Sequence, residues 1–228
     1  MRRTTTQLYT PPYAYCDLRC EACPLARTCE VSAVTDGAGP LPPDPLAYSE
    51  RRTQRELEVE DRIDRLVGEA YLARGARPDV EGYQRALEAV LFDPLCEQAR
   101  DVSLGAGAWL SHWRSAWRCQ ILAPVREVGL VRALDAVSLC PPLASDKILR
   151  ALWLEGVGGP PAEVEQPLGQ ARTASLALAE LAEAWRTIER ALPLAGVAPE
   201  LERVHALQAA LCGRFPQAAE FRRPGLDA

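Results

Sequence analysis

The stretch TASLALAELAEAWRTIERAL, Thr173 to Leu192, decides the fold class. Leu178, Leu181, Trp185, Ile188 and Leu192 recur at alternating spacings of three and four. At 3.6 residues per turn such positions share one helix face, and a face that apolar has to be buried against other elements. A helix over about 170–193 is therefore expected.

The same period extends outward in both directions. Pro199 opens a last helix through Leu201, Val204, Leu207 and Leu211 that ends near Gly213. Upstream, Val59, Ile63, Leu66, Val67 and Ala70 mark a helix from Ser49 to about Arg74, with Gly75 placed to end it. Asp79 can cap a second helix carrying Tyr83, Leu87, Val90 and Leu91, stopped by Asp93-Pro94. Further apolar stripes run through roughly 95–122 and 125–139. Ser145 then begins another helix with Ile148, Leu149, Leu152 and Trp153. Convincing strand alternation is absent. The expected fold is all-α, a helical bundle preceded by a small cysteine-rich segment.

The segment boundaries follow from composition. Residues 1–33 form a cysteine-rich, metal- or cluster-binding segment, and its first fifteen residues, with Pro11 and Pro12, read as extended. Residues 34–48 contain Gly37, Gly39, Pro40, Pro42, Pro43 and Pro45, a linker that continues neither a helix nor a central strand. Residues 49–228 are the helical domain.

A hydrophobic share of 48% with 25% charged residues suits a globular chain with a full core. The net charge of −5 argues against general binding to nucleic acid. Lys147 is the only lysine among 26 basic residues, a bias that codon usage in a GC-rich genome explains better than a set of phosphate clamps. No apolar stretch reaches bilayer length, so no membrane partner is expected. Arg2 and Arg3 run into Thr4, Thr5, Thr6 and Gln7 rather than an apolar segment, unlike a secretory signal. The expected compartment is cytoplasmic, where clustered thiols are metal ligands more often than disulfides.

Four such thiols, Cys16, Cys20, Cys23 and Cys29, fall within fourteen residues as C-x3-C-x2-C-x5-C. Four thiolates close either a tetrahedral zinc site or a cubane cluster. Structural zinc sites usually divide their ligands between two C-x2-C knuckles, and only Cys20 and Cys23 form one here. A single short loop can wrap the four corners of a larger 4Fe–4S cluster. Spacing thus favours the cluster, with zinc as the alternative. Tyr9, Tyr13 and Tyr15 could shield the site or simply pack the N-terminal arm onto the helical body. Arg19 and Arg27 could offset its negative charge.

Residues Cys16-Asp17-Leu18-Arg19-Cys20-Glu21-Ala22-Cys23 resemble the C-x3-C-x2-C loop of radical SAM enzymes. That resemblance implies a 4Fe–4S cluster on three cysteines, with an open iron for S-adenosylmethionine. Ala22 stands where that family carries an aromatic residue, no alternating strand–helix pattern follows, and Cys29 is at hand as a fourth ligand. Residues Cys20 to Cys29, CEACPLARTC, are similar to the C-x2-C-P-x4-C segment of WhiB-like regulators and to the C-x2-C-x5-C segment in the iron–sulfur caps of AddB-type nucleases. These resemblances cover only the cysteine loop, and what they imply is a cluster.

Other constellations are less specific. Trp109, Trp113 and Trp117 recur every fourth residue beside Arg114 and Arg118. They read as a core stripe ahead of a stacking surface for a flat ligand. Glu202 and His205 have the E-x-x-H spacing of di-iron bundles, but Trp109 precedes His112 where a second pair would need its carboxylate. His112, His205, Cys96, Cys119, Cys140 and Cys212 are expected to be satisfied core residues.

The functional expectation is a 4Fe–4S protein with an electron-transfer, redox-sensing or structural role. The alternative is a zinc-stabilised module that docks the helical domain onto a protein partner. An enzyme using the cluster is a third reading, with no catalytic residue or small-molecule substrate identified.

Overall fold

A computed structural model describes residues 12–17, 23–25, 27, 29, 58, 61–73, 75, 80–119, 128–159, 162, 165–193 and 195–227. The described secondary structure is helical throughout, so the chain is all-α as its periodicity predicts. The helices are α1 (61–73), α2 (Val80–Leu91), α3 (Pro94–Cys119), α4 (Val128–Val157), α5 (Pro167–Ala191) and α6 (Ala198–Arg214). Short 3-10 turns span Pro12–Tyr15 and Pro216–Ala219.

Contacts divide the chain into two compact units. One comprises Met1–Asp79, Gly158–Gln166 and Arg222–Ala228; the other comprises Val80–Val157 and Pro167–Phe221. Residues on both sides of the proline-rich stretch 34–48 thus belong to the first unit, while that stretch itself lies outside the described residues.

The second unit is built around α5, which packs most extensively on α4 and also contacts α6. Leu178, Leu181, Trp185 and Ile188 are fully buried, and Leu192 packs against the core just beyond the helix end. Small residues on both helices, Ala171, Ala174 and Ala177 on α5 with Ala133, Ala136, Ala144 and Ala151 on α4, are buried in the same core. Alanine keeps each surface low and lets helix axes approach closely. Pro199 sits in the first turn of α6, where its missing N–H is no loss, and Val204, Leu207 and Leu211 face inward. Asp93 ends α2 and also caps α3, accepting the Leu95 N–H at 2.8 Å with Pro94 in the first turn.

Two expectations are corrected in this unit. The sequence suggested a break after residue 139 and a fresh start at Ser145, yet α4 runs unbroken through Pro141 and Pro142. An internal proline removes a hydrogen bond and crowds the preceding turn, at about 3 kcal/mol. The flanking Val137, Cys140, Ala144 and Ile148 are all buried, and each large apolar side chain buried contributes about 1.5–3 kcal/mol. Burial on both sides offsets the local penalty and keeps the helix continuous. The second correction concerns α2, whose Leu87 and Leu91 are exposed rather than buried. Its packing on α4 runs instead through Tyr83, whose ring meets Trp153 edge-on at 5.6 Å, and through Val90 on the same face.

Trp109 of the aromatic stripe on α3 is core, as its period suggests. Trp109 is buried, meets Trp185 edge-on at 4.9 Å and donates its indole N–H to the Ala195 carbonyl at 2.9 Å. Trp113 packs beside it at 5.7 Å. The Trp117 side chain lies outside the described residues.

Candidate metal centre

The first unit holds the cysteine loop. Its wall is the inner face of α1, where Ile63, Leu66 and Val67 are buried together with Ala14. These positions carry the three–four spacing that the sequence shows, and Gly75 ends the segment with φ +79° and its N–H on the Leu72 carbonyl. Cys16, Cys29 and Tyr71 pack against that wall. The first and last thiols of the loop are therefore brought to one apolar surface, although twelve residues separate them in sequence.

Cys16, Cys23 and Cys29 are each half-buried. Cys23 is not part of the apolar group that holds Cys16 and Cys29. Cys20, with Arg19, Tyr9 and the Tyr13 side chain, lies outside the described residues. Among the described residues, no three His, Cys, Asp or Glu side chains are gathered so as to hold a metal ion. Tyr15 is fully buried and Arg27 is exposed. The Cys29 amide donates to the Leu25 carbonyl at 2.9 Å, closing a turn between the last two thiols.

Two buried polar features beside this loop carry no periodic signal in the sequence. Arg223 is 6% exposed. Its Nε and Nη2 donate to Oδ1 of Asp227 at 3.0 and 2.9 Å, and its Nη1 lies 3.6 Å from Oδ2 of Asp17, the residue after Cys16. Among the described residues that Nη1 has no hydrogen-bond acceptor. Glu165 is 1% exposed and accepts a hydrogen bond from the Tyr71 hydroxyl. Burial, and secondarily the nearby Asp64 charge, push its carboxyl from 4.5 up to about 9. It is thus a neutral acid at pH 7.

The donor set suits a thiolate-bound group. Four cysteines in one short loop are the donor type such a group takes, and Cys16 and Cys29 pack on one apolar group, but the three described thiols, Cys16, Cys23 and Cys29, are not brought together as a set of ligands.

The remaining thiols and imidazoles are placed differently. Cys96 and Cys140 are buried in the core of the second unit, as expected. Burial, reinforced by Asp93, pushes the Cys96 thiol up to about 11, which keeps it protonated. His112, His205 and Cys212 are exposed, contrary to the core reading. The seven-residue spacing placed each pair on one face but could not say which face. His205 and Cys212 each follow a buried residue, Val204 and Leu211, and one step along a helix turns about 100° away from the core. His205 meets Arg186 at 3.1 Å on the surface, so Glu202 and His205 form no interior E-x-x-H site. The Cys119 side chain lies outside the described residues.

No described helix is long and apolar enough to cross a membrane. In comparisons with known proteins, the chain matches no family model, no curated protein and no solved structure.

Proposed function

We propose that this chain binds a 4Fe–4S cluster through Cys16, Cys20, Cys23 and Cys29 and uses it in electron transfer, redox sensing or structural support. The observation that carries the reading is that Cys16 and Cys29 pack on one apolar group, Ala14, Ile63, Leu66 and Val67. Bound there, such a cluster would supply one-electron chemistry at a potential set by its surroundings. The residues of the chain have separate parts in this account. The four thiolates ligate, the α1 wall keeps water from one side, and Arg223, paired with Asp227, tethers Asp17 next to Cys16.

Replacing each of the four cysteines by serine tests the ligand set. Each single variant should lose iron and sulfide, measured on protein purified without oxygen. Full metal content in Cys29→Ser would establish a three-cysteine site with an open iron, the arrangement the radical SAM resemblance implies.

A second reading is a zinc-stabilised module that docks onto a protein partner. The C-x2-C knuckle of Cys20 and Cys23 supports it, as does Phe92 at the end of α2, which is 79% exposed beside Leu87 and Leu91. One zinc per chain without sulfide would favour it.

A further inference from the structure

We infer that the C-terminal segment is a clamp on the cysteine loop and that Arg223 is its positioning residue. The inference deepens the cluster reading and rests on it for its functional meaning.

Two contacts carry the argument, and they reach the loop at separate places. The first is ionic. Arg223 is held rigidly by Asp227, which takes its Nε and Nη2 at 3.0 and 2.9 Å and its backbone N–H at 2.9 Å. So fixed, the guanidinium directs Nη1 toward Asp17 at 3.6 Å, with the arginine side chain 7% exposed. Asp17 follows Cys16 directly, so tethering it restrains the backbone of the first ligand. The second contact is steric. Gly225 has φ +76°, and a Cβ there would stand 3.1 Å from Cδ1 of Leu25. Leu25 lies between Cys23 and Cys29, and its carbonyl accepts the Cys29 N–H. The positive φ favours glycine at 225, and a side chain there would crowd Leu25.

The clamp therefore grips the loop beside its first ligand and at the turn that leads into its last. It restrains the thiols by connecting them to a segment about two hundred residues further along the chain. Arg223 acts through Asp17, without being a ligand.

Hydrogen–deuterium exchange on the full chain as purified tests the clamp independently of what the thiols hold. Asp17→Asn should speed exchange over residues 14–29 by about 1.4-fold to fivefold, the range expected for losing one partly exposed ion pair. Residues 170–190 should be unchanged. Arg223→Gln also strands Asp227 and should act more strongly. If Arg223→Gln does not fold, Asp17→Asn, which keeps Arg223 on Asp227, decides. Unchanged exchange over 14–29 in Asp17→Asn overturns the inference.

In chain loaded anaerobically with ferric iron, sulfide and a thiol reductant, Asp17→Asn should raise the rate of iron loss to a chelator by a similar factor. Iron loss at the wild-type rate would overturn the positioning role. A wild-type chain that takes up no iron would sink the cluster reading, while the exchange experiment would still decide the clamp.

Discussion

Tyr71 donates its hydroxyl hydrogen bond to Glu165, joining α1 to a carboxyl that is 1% exposed and lies 94 residues further along the chain. Both residues belong to the unit that holds the cysteine loop, and Tyr71 packs on the same wall as Cys16 and Cys29. The wall is thus joined through Tyr71 to a buried acid.

That acid makes stability depend on pH in a defined direction. Its folded pKa, about 9, lies above the ordinary 4.5, so the folded chain holds a proton that the unfolded chain releases. The stabilisation is complete below pH 4.5 and is lost as pH rises toward 9, with a slope of at most about 1.4 kcal/mol per pH unit. Glu165→Gln keeps an acceptor for Tyr71 and removes the ionisation. Urea unfolding followed by far-UV circular dichroism from pH 5 to 9 should give a flatter profile in the variant. Parallel profiles would show that Glu165 does not bind this proton.

The Trp109–Trp185 contact should be a principal support of the second unit. Trp185→Ala removes a fully buried ring from the centre of α5 and should destabilise by about 3–5 kcal/mol. Trp109→Phe keeps most of the volume but leaves the Ala195 carbonyl without its indole donor, which should cost about 1–3 kcal/mol. Chemical denaturation monitored by circular dichroism measures both. A loss for Trp109→Phe as large as that for Trp185→Ala would contradict this division between packing and hydrogen bonding.

Thiol chemistry should separate the cysteines by environment. Cys96 is buried and held protonated, whereas Cys212 is exposed on α6. With iodoacetamide at pH 7.5, peptide mass mapping should find Cys212 modified and Cys96 protected in folded protein. Substituting Cys96 or Cys140 by alanine should leave metal content unchanged. Loss of metal in either would move the ligand set away from the N-terminal loop.

Much of this architecture is legible in the sequence because helix periodicity records burial directly. Leu178, Leu181, Trp185 and Ile188 predict α5, and Val204, Leu207 and Leu211 predict α6, because one stripe faces one core. Pro141 and Pro142 mislead because the local rule penalises them, while the compensating burial comes from elsewhere in the unit. Leu87 and Leu91 mislead because an apolar stripe shows that a face can be buried without showing that anything covers it. For the candidate site, cysteine spacing marks the loop and the α1 stripe marks its wall. Glu165, Arg223 and Asp17 had no such signal. Their roles come from pairings such as Tyr71–Glu165 and Asp17–Arg223, and no period connects residues so far apart in the chain.

The most direct test of the central claim is iron and acid-labile sulfide per chain, with an absorption spectrum, on protein purified without oxygen. Wild-type protein should carry about four iron and four sulfide with broad absorption at ~400 nm that disappears in Cys16→Ser. One zinc per chain, or no metal at all, with no sulfide and no such absorption, would contradict it.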